Sequence, residues 1–559
     1  MQNSQEDTLI KEETIISPIH SDLAQLIEGE VDSSADTLEF ASHDASVFEV
    51  KPQVVVRPKK VSDIQKLVQY ATDHPGTSLT ARSAGTDMSG GPLSKSIVVD
   101  FLKHFNAVKE VAEGYAISQP GVYYRDFDKA TLAQGEQIMP SYPASRELCT
   151  IGGMVANNSG GEKTLTYGKT ERYIRRLKMV LSDGNECEFK PLNAEELEAK
   201  KKLDTAEGQI YREMHELVSK NHDILEKAKP IVSKNSCGYY LWNVWNKDAG
   251  TFDLTKMIVG SQGTLGMITE VELGLVKPKK YSRLLVVFLK DLAMLAITAE
   301  HILKYKPESF ESYDDHTFKV AVKFLPQLMK QMGGNIISLG LRFIPEMLAV
   351  LEGGVPKLVL MAEFTADTPE ESVRVAEEAQ ASLKDLHEKS KVTTTAEDAH
   401  KYWVIRRESF NMLRHHVHEL RTAPFIDDFA VRPERLTEFL PRLYKILDVY
   451  KLTYTIAGHI GDGNFHIIPL MNMHDTHSHE VIKELSVKVY ELVHEFNGTI
   501  TAEHNDGLIR TPFIKMQYGE EVYKLFELTK KIWDPKGIFN PGKKVGTTWE
   551  QAVELIVKK

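Results

Sequence analysis

Residues Ala457-Gly458-His459-Ile460-Gly461-Asp462-Gly463-Asn464-Phe465-His466 lie between the strand-like runs Tyr454-Thr455-Ile456 and Ile467-Ile468-Pro469-Leu470. An Asp-Gly pair between two β-type runs signals a two-residue type I′ turn, which needs positive φ at both central positions. With Asp462 and Gly463 at those positions, counting outward sets Gly461 opposite Asn464, Ile460 opposite Phe465 and His459 opposite His466. The two imidazoles are then expected on one face of a hairpin, with Cβ atoms about 4.5–5.5 Å apart and within reach of one divalent cation. Downstream, Gly498-Thr499-Ile500-Thr501-Ala502 is another β-type run, and Glu503-His504 precede the turn signal Asn505-Asp506-Gly507. Two histidines and a glutamate with an open position form the ligand set of a catalytic zinc-type site. Among twenty histidines most must be solvated or satisfied in the core, His474, His477 and His479 among them, and the spacing is what singles out His459 and His466.

At 559 residues the chain exceeds one hydrophobic core, so two or three domains are expected. A formal charge of −11, from 79 acidic and 68 basic residues, gives no general footprint for nucleic acid. The three cysteines, Cys149, Cys187 and Cys237, form no C-x-x-C pair, which argues against a disulfide scaffold and an iron–sulfur cluster and for a reducing compartment. No run approaches the ~18–20 apolar residues of a membrane span, and residues 1–30 lack the pattern of a signal peptide. The expectation is a cytoplasmic protein, with peripheral attachment at the inner face of the membrane left open.

Residues 51–58 read as a short strand, and Ser62 as the N-cap of a helix with Ile64, Leu67, Val68 and Ala71 inward. Strand-like runs over 78–82 and 97–100 flank the loop Ser83-Ala84-Gly85-Thr86-Asp87-Met88-Ser89-Gly90-Gly91, whose backbone N–H groups can converge on an anion. Glycine loops more often only turn the chain, so a second stretch carries weight: Pro143-Ala144-Ser145, then Cys149-Thr150-Ile151-Gly152-Gly153-Met154-Val155-Ala156-Asn157-Asn158-Ser159-Gly160-Gly161. Gly168-Lys169-Thr170 is not the end of a P-loop, because Lys163 stands where that motif needs glycine, and no G-x-G-x-x-G follows a strand.

The run from Pro143 to Gly161 resembles the vanillyl-alcohol-oxidase-type (PCMH-type) FAD-binding family, and within it the branch of D-lactate, glycolate and D-2-hydroxyglutarate dehydrogenases. Further likeness lies in Tyr167-Gly168-Lys169-Thr170, Asn235-Ser236-Cys237-Gly238-Tyr239, the run from Ile258 to Thr269, the histidine hairpin, and the run from Trp533 to Lys543. The resemblance implies an α+β fold: an N-terminal extension (1–45), a PCMH-type FAD-binding domain (46–278), an α+β cap domain bearing the metal-site candidates (279–524) and a segment returning to the FAD domain (525–559). It implies that FAD is wrapped by Ser83, Ala84, Gly85, Thr86, Asp87, Met88 and Ser89, by Pro143, Thr150, Gly152, Gly153, Ala156, Asn157, Asn158, Gly160 and Gly161, and by Ile268 and Asn540. Thr86 and Asp87 stand where covalently flavinylated relatives carry histidine, so non-covalent FAD is expected.

The resemblance also implies oxidation of a 2-hydroxy acid to a 2-oxo acid with hydride transfer to the flavin. His459, His466 and Glu503 are expected to hold a divalent metal, zinc by donor type, and His504 to act as general base. A helix read over 402–413, with Trp403, Phe410, Leu413 and Val417 inward, carries the arginine expected to bind the substrate carboxylate; Arg406 is the better match and Arg407 the alternative. Gln262, in place of a common glutamate, is expected to keep a hydrogen-bonding role, and Asn505-Asp506-Gly507 to reshape the pocket beside His504. Ile468 and Ile426 replace the Asn and Lys of the D-2-hydroxyglutarate enzymes, which favours a D-lactate-like substrate over D-2-hydroxyglutarate or glycolate. Electrons are expected to leave to an external acceptor: a quinone, an electron-transfer flavoprotein or a separate iron–sulfur subunit. A homodimer is left open. The rival readings are an alkylglycerone-phosphate-synthase-like transferase, a non-catalytic flavin-binding subunit, and a purely structural histidine pair.

Overall fold

The computed structural model describes residues 18–323, 354–416 and 420–558, without the side chains of 320–323 and 408–416. The inward placing expected of Phe410, Leu413 and Val417 therefore lies outside what is described. Val54-Val55-Val56 and Ile97-Val98-Val99 are β-branched runs buried on both faces, as in a parallel sheet covered on both sides. They pair in parallel, with Leu79–Arg82 parallel on one flank and Glu30–Asp32 antiparallel on the other. The helix Val61–Asp73 buries Ile64, Leu67, Val68 and Ala71, as its period requires. Its start differs from the expected cap: Ser62 lies inside the helix, and Asp63 collects the backbone N–H groups of Lys59 (2.8 Å) and Glu28 (3.0 Å).

A five-stranded antiparallel sheet follows, in the order Val108–Ala112, Tyr115–Ser118, Met267–Gly274, Ile174–Val180, Glu186–Phe189. The second glycine stretch forms the short helix Ile151–Asn157, begun by the Thr150 side chain, which accepts from Gly153 N–H, and ended by Asn158 at φ 52°. The third sheet runs Lys389–Val392, Tyr281–Leu289, Leu358–Ala366, Ser309–Asp314, Thr453–His459, Asn464–Met471, Arg421–Thr422, with Phe429–Ala430 also paired to Asn464–Met471. Its strands alternate: Leu285, Val287 and Leu289 pack with Leu295 and Ala376 on one face, and Leu284, Val286, Tyr313 and Met361 with Tyr402 and Trp403 on the other. Following the second face along the sheet, period two brings Glu311, Ala457, His459 and His466 to the same side.

Beyond Trp533 the chain returns to the first sheet. Phe539 bridges to Leu79, and Asn540 donates to the carbonyls of Gly91 (2.9 Å) and Gln262 (2.7 Å). Lys544 and Asp506, both wholly buried, pair at 2.8 Å, and the ammonium also donates to Ser236 O and Gly238 O at 2.9 Å each. Removing one member strands a buried charge, so Asp506→Ala is expected to destabilise the fold by about 3–5 kcal/mol, read as a lower denaturation midpoint.

Candidate active site

The hairpin forms with a different register. Thr453–His459 and Asn464–Met471 pair with Ala457 opposite His466, Gly458 opposite Phe465 and His459 opposite Asn464. The expected two-residue turn, which sets His459 opposite His466, is corrected to a four-residue loop from Ile460 to Gly463. Ile460–Asp462 makes a tight helical turn and only Gly463 takes positive φ (64°), at a point where a Cβ would meet Val431 O at 1.7 Å. Asp462 is held by a tertiary contact instead, its Oδ1 accepting from Ser233 Oγ at 2.6 Å. His459 and His466 remain on one face as diagonal neighbours, with ring centroids 5.2 Å apart.

Asp428 gathers the loop that carries Glu503 and His504. Its Oδ2 accepts from the backbone N–H groups of Ala502 (3.0 Å), Glu503 (2.9 Å) and His504 (2.6 Å) and from Thr501 Oγ1 (2.8 Å). Its Oδ1 accepts from Asn464 Nδ2 at 3.0 Å. Although its ligand atom lies within 4.8 Å of those of His466, Glu503 and His504, these donors occupy both oxygens, and Asp428 builds the loop. The result sets three imidazole nitrogens around Glu503 Oε1: Nε2 of His459 at 3.1 Å, of His466 at 3.4 Å and of His504 at 3.8 Å.

Two buried carboxylates hold these rings from behind. Glu311 Oε1 accepts from His459 Nδ1 at 2.6 Å, and its Oε2 pairs with Arg406 at 3.1 Å. Asp427 Oδ1 accepts from His466 Nδ1 at 3.1 Å and Oδ2 from His504 Nδ1 at 2.6 Å. Ionised carboxylates only accept, so each ring carries a proton on Nδ1, and its Nε2 faces Glu503 Oε1 as a donor while the ring is charged and as a lone pair open to a cation once that second proton is displaced. Burial pushes the Asp427, Glu311 and Glu503 carboxyls up, yet the facing histidines and cations hold all three below their ordinary range. Burial lowers His466 too, but Asp427 and Glu503 raise its pKa to about 10. Donors that draw a proton so strongly suit a divalent cation for the same reason.

Arg406, on the helix Ala396–His416, joins this cluster through Glu311, and its Nε is buried without a hydrogen-bond partner among the described residues. Arg407 is engaged elsewhere: it donates to both Glu162 oxygens (2.8 and 2.6 Å) and lies 4.7 Å over the Trp403 ring. A cavity of about 1630 Å³ joins the glycine segments to the cluster. It is lined by Ser83, Ala84, Gly85, Thr86, Asp87, Met88, Pro143, Thr150, Gly152, Gly153, Ala156, Asn157, Gly160 and Ile268, and also by Arg406, His459, His466, Glu503 and His504. The volume exceeds the roughly 300–1,000 Å³ of a site for one small ligand, and so fits a dinucleotide together with a small acid.

Four expected cofactor residues stand behind this wall. Ser89 is wholly buried, Asn158 accepts from Glu171 N–H at 3.0 Å, and Asn540 makes the carbonyl contacts described above. Gly161 passes so close to Tyr142 O that a Cβ would come within 2.1 Å. Gln262 keeps a bonding role, donating to Ser89 Oγ (3.2 Å) and accepting from Gly507 N–H (2.8 Å). Asn505-Asp506-Gly507 do not line the cavity; Asn505 Nδ2 donates to Asn157 O (3.0 Å) and Gly260 O (2.9 Å), tying the histidine loop to the glycine helix. Lys169 is a buried strut between Asn235 O (2.8 Å) and Ala502 O (2.7 Å). Ile468 lines the cavity, whereas Ile426 is wholly buried in the core.

Sequence reading missed Glu311 and Asp427, and also Glu39, Phe40 and His43 to Phe48, which line the cavity from the end of the N-terminal extension and the start of the FAD-binding domain. That segment is anchored by the bridge from Phe48 to Ile556, a contact with no local signal. The paired acids Asp427-Asp428 directly after the apolar Phe425-Ile426 were the one available cue.

Comparison with known proteins gives two family matches: the C-terminal domain of FAD linked oxidases over residues 278–544, and an FAD binding domain over residues 52–190. D-2-hydroxyglutarate dehydrogenase of Pseudomonas putida is 27% identical over 92% of this chain and 50% of its own length. Glycolate oxidase subunit GlcD of Bacillus subtilis is 26% identical over 92% of this chain and 93% of its own. D-lactate dehydrogenase of Archaeoglobus fulgidus is 25% identical over 88% and 91%. The chain spans about half the length of the first curated relatives it matches. Among solved structures, 4-ethylphenol oxidase from Gulosibacter chungangensis superposes with a TM-score of 0.67 at 16% identity over 95% of this chain and 98% of its own. Alkyldihydroxyacetonephosphate synthase does so with 0.61 at 14% over 94% and 86%. At such identities the likeness is one of fold.

Proposed function

We propose that this chain, which matches the C-terminal domain of FAD linked oxidases over residues 278–544 and an FAD binding domain over residues 52–190, is an FAD-dependent dehydrogenase of a D-2-hydroxy acid, D-lactate-like in size. The division at residues 278 and 524 goes with this reading. The observation that carries it is the single cavity in which both glycine segments face Arg406 and the histidine cluster. Bound non-covalently, FAD supplies the acceptor for the C2 hydrogen and its electron pair, and a divalent ion, zinc by donor type, supplies positive charge beside the hydroxyl. His459, His466 and Glu503 would hold that ion.

The chain's own residues then bind, orient and move a proton. Arg406 receives the substrate carboxylate in its planar fork, and the rigid pairing with Glu311 fixes where that carboxylate lies. His504 takes the hydroxyl proton at Nε2, since its Nδ1 is committed to Asp427. It suits the base role better than its neighbours: it is the most exposed of the three imidazoles, at 23% against 6% and 13%, and the farthest from Glu503 Oε1. Ile468 lines the cavity on the strand that carries His466, and an apolar side chain there suits a methyl better than a second carboxylate. Electrons leave to an external acceptor.

Anaerobic bleaching of the flavin by D-lactate, L-lactate, glycolate and D-2-hydroxyglutarate, before and after chelation, tests this reading. Bleaching by D-lactate that chelation abolishes is expected. Bleaching by D-2-hydroxyglutarate alone would move the substrate to the longer acid, and no bleaching by any of the four would remove the dehydrogenase reading.

A further inference from the structure

Lys234 stands behind the histidine cluster with a wholly buried side chain. Its ammonium lies 2.9 Å from Glu503 Oε2, 3.3 Å from Gly161 O, 3.5 Å from Asn464 Oδ1 and 3.6 Å from Asp462 Oδ2. Glu503 is therefore divided: Oε2 is committed to a cation, and Oε1 alone faces the three imidazoles. Turning both oxygens toward an ion would strip the ammonium of its nearest anion inside the protein, an expensive change. The ammonium also offsets the charge of Glu503, so an ion on this carboxylate and two neutral imidazoles keeps more positive charge for its remaining positions.

We propose that Lys234 is a positioning residue that restricts Glu503 to one-oxygen coordination and preserves positive charge where an anionic hydroxy acid would bind. This rests on the metal reading above. It also gives the four-residue hairpin loop a role, because Asp462, inside the loop, and Asn464, the residue that follows it, both face the ammonium. The contact with Gly161 O ties the same group to the cofactor segment.

The test uses the full FAD-loaded chain, stripped of metal by chelation and titrated with Co²⁺, whose visible bands report coordination number. The native protein is expected to bind one Co²⁺, with the bands lost in His466→Ala. In Lys234→Met the ion alone neutralises Glu503, so binding is expected to tighten at least about tenfold, with weaker bands as the second oxygen adds to the coordination. Lys234→Gln keeps a donor to Oε2 without the charge, so binding should tighten while the bands stay as in the native protein. A folded Lys234→Met with native affinity and bands overturns the inference. If that variant does not fold, native affinity in Lys234→Gln overturns it equally. No Co²⁺ binding by the native protein would instead bring down the metal reading itself, a different failure.

Discussion

Asp427→Asn is expected to lower turnover by about 100-fold while leaving flavin content and the thermal transition close to native. The argument is one of donors and acceptors. Asp427 takes the Nδ1 protons of His466 and His504, one on each oxygen, at 3.1 and 2.6 Å. Asparagine is nearly isosteric but has only one accepting atom. Whichever ring meets the amide nitrogen must carry its proton on Nε2, and the lone pair it turned toward Glu503 is lost. If His466 is that ring a metal ligand is lost; if His504, the base. Turnover by steady-state assay, with cobalt affinity measured beside it, separates the two: weaker binding with the first, unchanged binding with the second. Native turnover in a folded Asp427→Asn would show that the carboxylate does not set the tautomers.

The sequence made the hairpin and the Glu503-His504 loop readable because each is a local pattern whose chemistry follows from spacing, and the glycine segments readable through their resemblance to the FAD-binding family. What it did not reveal depends on residues far apart in the chain. The hairpin register failed because Asp462, a good turn residue in isolation, is drawn to Ser233 and Lys234, which leaves only Gly463 in the left-handed region. Glu311 and Asp427 were missed because Glu311, on the strand Ser309–Asp314, and Asp427, in the loop before Phe429–Ala430, meet the hairpin histidines only in the fold. Alternation along Ser309–Asp314 could have placed Glu311 beside Tyr313 on one face, but not beside His459. The start of the helix Val61–Asp73 shows the same limit on a small scale: Ser62 looks like a cap, yet the helix starts from Lys60 without a side-chain cap, and Asp63 instead ties down the preceding backbone at Glu28 and Lys59.

Arg406→Met is expected to raise the KM for the hydroxy acid by about 10–100-fold, the loss of a charge-assisted hydrogen-bonded pair with a carboxylate. Its effect should fall on substrate binding more than on the flavin, because the arginine lines the cavity on the cap side. A second consequence follows from Glu311, whose two oxygens serve His459 and Arg406. Without the guanidinium, Glu311 keeps His459 and the more distant Lys234 ammonium to offset its buried charge, so the methionine variant should also be less stable than native when the metal is removed. Arg406→Lys retains the charge on a single ammonium and loses the planar fork, and should recover the stability but only part of the KM. Arg407→Met is the control, since Arg407 is paired with Glu162 and stacked on Trp403. Should Arg407→Met raise KM while Arg406→Met leaves it native, the carboxylate is held by Arg407, and the pairing of Arg406 with Glu311 serves only to orient His459.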